Sequence, residues 1–482
     1  MLALLQTLQR VQLVPLALTV GLASATASAE TWTVGEDALT SDFTSIQDAV
    51  NAAAAGDTIL VAPGDYVGFR VALKPLTILG AGSQQTRINA VAGSFFTTES
   101  AIGVEFVNEG SVRIGGFSVE LPEPDFFPGI VPRYVALRDC DASLELFDVE
   151  VLNPCPDYWD LFNLGPNSPQ NSGYFNVADC RQVMLSDVRV AGAAQQVFPD
   201  LDTAGSAFGL PEGYAGLMLH DSLAWVSNSH FEGSNIVHCY AEGEALKPMR
   251  SGSGARLWNS RLVASNTSFQ GGQGQSDFGP TCVNLEAGAG IVLQYGSQAE
   301  LLGGPLAEVQ GGSSFGSAQG GSGATLYGPS SLLYATDTTP AGGFSGSGLI
   351  MPSIAELNPD LVQVIELDSQ RPVMTSSASF AQQGESFQLD LLGNPNGVQV
   401  VLWETEIGGQ LPSPLIIGDL FLDPASAQML GVFTLDGAGA ATTTLQVPVG
   451  PEFAGVSIAM QTTELVHPQF LSAPPLFVAT SL

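Results

Sequence analysis

The chain has 482 residues, with 47 acidic side chains against 14 lysines and arginines and a formal net charge of −33. Such a surface repels nucleic acid and anionic lipid, and a bare polyuronate would need bridging cations or a local arginine cluster to approach it. Salt screens the self-repulsion, so the charge by itself indicates solubility in salty water.

Residues 1–29 have the features of a secretory signal. Arg10 is the one charge, Val11 to Leu22 form a mostly apolar core, and Ala27-Ser28-Ala29 matches a small-residue cleavage pattern ahead of Glu30. No later segment approaches the roughly 20 uninterrupted apolar residues that span a bilayer, so the expected product is exported, with no membrane span after cleavage.

A short amphipathic helix is predicted next. Thr44 and Gln47 have capping-box spacing, Phe43, Ile46, Val50 and Ala53 recur at helical intervals, and Gly56 stops the run. Thr58 to Val61 then reads as a buried strand before the Pro63-Gly64 turn, and Leu76 to Gly80 repeats it about 19 residues on. A helix covering a stack of short, evenly spaced strands is how a parallel β-helix begins. Residues 32–90 resemble the opening of right-handed β-helix proteins of the pectin lyase-like class, pectinesterases in particular. That resemblance implies a catalytic aspartate pair, an arginine and oxyanion-stabilising glutamines, on patterns such as Gln-Asp-Thr-Leu and Asp-Phe-Ile-Phe-Gly. Neither pattern occurs; Ser276-Asp277-Phe278-Gly279 is the nearest fragment and lacks the apolar strand residues. The Asp-Asp and Gly-His-Gly patterns of the related polygalacturonases are absent too, and Asn266-Thr267-Ser268 lacks their carboxylate. No catalytic residue carries over.

From residue 100 a repeat of about 31 to 42 residues emerges. Aligned on the polar residue ending each short strand, it gives Asn108, Asp139, Asp179, Asp221 and Asn259, then Tyr295 and Gly328. Apolar residues stand two and four positions before each, which places them in a core. A second polar column follows at Asp148, Asp187, Asn228 and Asn266. The length drift is explained by Gly-, Pro- and Asn-rich loops projecting from regular coils, and glycines are expected at corners and loops that need positive φ.

The coils fade after Thr336, and residues 341–372 read as the end of the helix plus a linker. From 373 to 482 alternating strands and turns such as Asn394-Pro-Asn-Gly397 indicate a β-sandwich. The expected fold is therefore all-β: a right-handed parallel β-helix over 30–340 with an N-terminal capping helix, followed by a C-terminal β-sandwich.

Coils stacked roughly 4.8 Å apart would set Asp139, Asp179 and Asp221 in a ladder. That is either a turn ladder bonded to nearby amides or a hard-cation site, with Ca²⁺ the candidate ion. The outward face beside it carries Arg138, Asn176, Met218, His220, Arg256 and Trp258, of which Arg138, Asn176, His220, Arg256 and Trp258 are the candidate ligand contacts. Trp258 can stack on sugar rings and the arginines can pair with carboxylates. His220 beside Asp221 suggests a general base, but neighbours on a strand point to opposite sides unless a turn begins there. Of the five cysteines, Cys140 and Cys180 hold equivalent repeat positions and either stack or pair. No nucleotide loop, metalloprotease helix or nucleophile elbow occurs. The expected protein is a monomer that binds extracellular polysaccharide or serves as a surface scaffold without catalysis. The alternative is a polysaccharide lyase or carbohydrate esterase.

Overall fold

The computed structural model describes residues 29–480 except 38, 90–99, 121–132, 153–172, 193, 198–212, 240–248, 275–284, 315–318, 346, 358–360, 368–371, 406–415, 418–419, 423–425, 451–452, 454 and 467–468. The expected signal segment and Cys155 and Cys282 thus lie outside the described residues. No helix among the described residues is long and apolar enough to cross a membrane.

The main body is a parallel β-helix. Each coil contributes strands to three faces, and each strand pairs in parallel with its counterpart one coil away. The first face runs through Phe69–Ala72, Ser100–Glu105, Ala215–His220, Ala255–Trp258, Ile291–Gln294, Ala324–Tyr327 and Ile354–Leu357. Between the second and third of these lie the long strands Arg133–Leu152 and Gly173–Val190, which bend through the corners and supply all three faces. Val104, Leu137, Val177, Leu219, Leu257, Leu293 and Leu326 form one in-register inward column. Each is 0% exposed, so alternation and stacking together make the core.

The corner after the first face explains the first polar column. Its residues adopt left-handed backbone with φ between 46° and 65°: Leu73, Phe106, Asp139, Asp179, Asp221, Asn259, Tyr295 and Gly328. Asp and Asn tolerate this conformation because their short polar side chains bond locally. The expected place of Asn108 is corrected by two residues, since Glu105 pairs with Arg138 and puts Phe106 at the corner. The second corner has the same conformation at Asp148, Asp187, Asn228 and Asn266, as its polar column indicates.

A second ladder follows directly. Cys140 and Cys180 donate to the Arg138 and Ala178 carbonyls, and Ser222 and Ser260 donate to those of His220 and Trp258. Each of these hydroxyls also accepts from the coil before it, as Cys180 N–H to Ser222 Oγ at 3.0 Å and Ser222 N–H to Ser260 Oγ at 3.1 Å. Cys140 and Cys180 are register partners, buried, and both free thiols: the stacked alternative, with sulfur in a serine's place.

Segments leaving the third face and returning to the first pack through glycine. Gly252 N donates to Ser234 O, Gly272 to Gly252, Gly288 to Gly272, Gly312 to Gly288 and Gly321 to Gly312, at 2.8 to 2.9 Å. A Cβ on Gly252 would lie 1.8 Å from the Tyr214 carbonyl oxygen. Glycine is needed here for close backbone approach and not, as expected from sequence, for positive φ, which is confined to glycines such as Gly116 and Gly303.

At the N-terminal end a helix, Ile46–Ala52, seals the stack by burying Ile46, Ala49 and Val50. Its cap is Ser45, whose hydroxyl accepts from Asp48 N–H, and not the expected Thr44. Gln47 instead reaches the next strand and accepts from Arg70 N–H at 2.7 Å. At the other end Ile354–Leu357 and Gln363–Leu367 continue the parallel ladder, so the last coil lies within 341–372.

The C-terminal strands form two facing sheets around Phe387, Leu389, Leu391, Val401, Met460 and Val478. This sandwich packs sideways on the second face of the β-helix. Phe147, Met184, Trp225 and Val263 meet Phe421, Leu422 and Phe477 there, and Trp225 stands edge-on to Phe421 at 4.6 Å. The buried Arg113–Glu145 pair, at 2.6 Å, belongs to the same junction, where Arg113 Nη1 donates to Thr405 O at 3.0 Å. The sandwich thereby covers the apolar middle of the second face.

Candidate functional site

Two outward columns run along the first face. In one, Asn176, Met218 and Arg256 are register neighbours. Asn176 and Met218 are 0% exposed, and burial lowers the Arg256 guanidinium to about 10, with Tyr327 opposing the shift. Asn176 and Met218 lie beneath the surface, whereas Arg256, like Trp258 beside it, is half-buried and reaches the surface in part.

The other column reads Arg138, Ala178, His220, Trp258 and Gln294, and Arg138, His220 and Trp258 are half-buried. The His220 and Trp258 rings are nearly parallel, 6.2 Å apart with 17° between planes. Tyr295, at the next coil's corner, lays its ring 3.7 Å from that of Trp258. Tyr295 is 51% exposed. The three rings make an aromatic strip along the stack, open on the Tyr295 side.

The corner carboxylates border this strip. Because Asp221 has φ 46°, its side chain turns back beside its neighbour, and His220 Nδ1 lies 2.9 Å from Asp221 Oδ2. The objection that strand neighbours point apart does not hold here, since the turn begins at Asp221. Asn259 donates its amide to the other Asp221 oxygen. Asp179, His220 and Asp221 each offer an atom within 4.8 Å of the others. Burial raises the Asp179 carboxyl above its ordinary range, with Asp139 and Asp221 adding to the shift and His220 opposing it. Beyond Asp221 a shallow hollow of about 400 Å³ is lined by Arg181, Asn259, Arg261 and Gln298. Arg181 is paired with Asp141 at 2.7 Å and Arg261 with Glu300 at 2.8 Å.

The ladder expected to hold calcium does stack on successive coils, but the atoms that converge are those of Asp179, His220 and Asp221, with Asp139 outside the group. Calcium takes about six to eight oxygen ligands, and two carboxylates with an imidazole nitrogen do not fit that demand. The repeat placed Tyr295 in the corner column, but it was not among the expected ligand contacts. Its signal was a tyrosine at a corner that the four preceding coils fill with Asp or Asn, one coil beyond Trp258-Asn259.

No family model and no curated protein matches the chain. Among solved structures it is similar to the pectin methylesterase from Aspergillus niger, at 11% identity over 71% of this chain and 86% of that one, with a TM-score of 0.21. The assignment of the fold rests on the parallel register of the coils.

Proposed function

We propose that the protein is a non-catalytic, exported carbohydrate-binding β-helix protein whose ligand lies along the half-exposed column of the first face. The observation that carries this reading is the Tyr295–Trp258–His220 stack, because its outer ring, Tyr295, is 51% exposed and is held by Trp258 behind it, offering a sugar ring an apolar contact at little entropic cost. Tyr295→Asn is the test. Asparagine suits a left-handed corner, as at Asn259, so the fold is kept while the exposed ring is lost. Binding to a saccharide panel, measured by titration calorimetry, should weaken about tenfold, and Trp258→Ala should weaken it at least as much. Unchanged affinity in both variants would exclude the strip.

Catalysis is the second reading, supported by the convergence of Asp179, His220 and Asp221 beside that strip. It requires new reducing ends, unsaturated products or released methanol from a bound polysaccharide, and their loss in His220→Gln. The non-catalytic reading expects retention with no product. For calcium, chelation is expected to leave the melting temperature within about one degree; a fall of several degrees in calcium-loaded protein would restore an ion at the aspartate ladder.

A further inference from the structure

We propose that the saccharide taken by this strip is an amino-sugar polymer carrying free ammonium groups, a choice that rests on the carbohydrate-binding reading above. The corners beside the strip are acidic on three successive coils. Asp139, Asp179 and Asp221 occupy successive corners, and Asp139 and Asp179 are exposed there. No hydrogen bond to another described residue engages the Asp179 side chain, and its raised carboxyl records repulsion from Asp139 and Asp221 on top of burial. A cation placed at this edge relieves that repulsion, and an anion increases it.

The other charges nearby do not reverse the sign. Arg138 is the cation in the half-exposed column, and His220 faces Asp221. Glu105, next to Arg138 in that column, is held by Arg70 at 2.5 Å, and Arg181 and Arg261 are held by Asp141 and Glu300. A uronate chain along the strip would therefore meet the aspartates, whereas a glucosamine chain would stack a ring on exposed Tyr295, pass the edges of Trp258 and His220, and set ammonium groups against the aspartates. The net charge of −33 adds a long-range bias of the same sign. Corner residues repeat with each coil, roughly every 4.8 Å, so a polymer running along the stack can meet several in turn.

The experiment compares glucosamine, neutral glucose and galacturonate oligomers of matched length by titration calorimetry, near 0.15 M salt to screen diffuse attraction. Glucosamine oligomers should bind roughly three- to tenfold tighter than glucose oligomers, and galacturonate weakest. The double variant Asp179→Asn, Asp221→Asn suits both corners and should erase the glucosamine advantage, so that glucosamine and glucose oligomers then bind it about equally. The advantage should also fall on acidification, as Asp179, held above the ordinary carboxylate range, protonates first while the amines stay charged.

Equal affinity for glucosamine and glucose oligomers, or preference for galacturonate, would overturn the amino-sugar assignment and leave the platform standing. Glucosamine binding unaffected by Tyr295→Asn and by the double variant would overturn it too, since the general surface charge would then be responsible. Absence of binding by all three would remove the platform reading itself.

Discussion

At the scale of single residues, the corners set which side chains the coils can use. Left-handed backbone costs roughly 1–2 kcal/mol for most residues and less for Asp and Asn, which bond locally. A carboxylate there brings a charge that its surroundings must accommodate. Asp148, at the second corner with φ 49°, accepts from Ser83 N–H at 2.8 Å and from Ser83 Oγ–H at 2.7 Å. Burial nevertheless holds its carboxyl above the ordinary range, and Asp187 and Glu150 push the same way. A raised acid makes ionisation unfavourable in the folded state. The cost is absent below the unfolded carboxylate pKa of about 4 and is complete once pH exceeds the folded value. Asparagine can keep both contacts, its carbonyl accepting from Ser83 N–H and its amide donating to Ser83 Oγ, and Asn228 and Asn266 already occupy the same column. Asp148→Asn should therefore melt with the parent near pH 4 and about 1–3 °C above it at pH 7. Thermal melts across that range decide it, and a variant less stable than the parent at pH 7 would refute the account.

At the scale of elements, the segments joining the third face to the first are held by a ladder of backbone hydrogen bonds, with side-chain contacts such as Arg250–Glu286 beside it. In the ladder from Tyr214 to Gly343 successive N–H groups donate across outgoing and returning strands, leaving no room for a Cβ at Gly252, Gly272, Gly288, Gly312, Gly321 and Gly343. Gly252→Ala drives a methyl into the Tyr214 carbonyl and should cost about 3 kcal/mol in denaturant unfolding. Gly437→Ala is the control: a Cβ there meets nothing within 4 Å, so it should change stability by less than about 0.5 kcal/mol. Equal effects would mean that the ladder is not tight. Legibility in the sequence divides along the same line. Period-two alternation and the Asp/Asn columns are local signals, and they gave the stacked coils and their inward residues correctly. The Asn108 assignment slipped because Leu73 and Phe106 occupy left-handed corners with apolar side chains, which carry no sign of that backbone. The glycine ladder was missed because close approach depends on which distant segments meet, and residue spacing does not encode that. The same holds for the site: Trp258 and His220 were visible as a column, whereas Tyr295 joins them only because its corner conformation folds the ring over the neighbouring coil.

At the scale of the whole molecule, a solenoid must protect two ends and choose which faces to expose. The sandwich covers the apolar middle of the second face, and the helix at Ile46–Ala52 closes the N-terminal end. The last coil is defended differently. Leu357, Leu361 and Ile365 are 46%, 58% and 37% exposed, and the final strands, Ile354–Leu357 and Gln363–Leu367, pair on one side only among the described residues. Such an edge is a template for another chain. Pro352 stands just before it, and Glu356 and Glu366 project from the two strands themselves, both exposed. Two copies meeting end to end would bring these acids together, on molecules that already repel each other. The carboxylates should therefore keep the protein a single chain. Removing them by Glu356→Val and Glu366→Val should produce concentration-dependent dimers or larger species in light scattering after size exclusion, with the parent monomeric under the same conditions. High salt should move the parent only slightly in that direction, because screening removes the repulsion of exposed acids but not the cost of burying them at a strand edge. A parent that already dimerises, or a double variant that stays monomeric, would show that something other than these acids governs the open end.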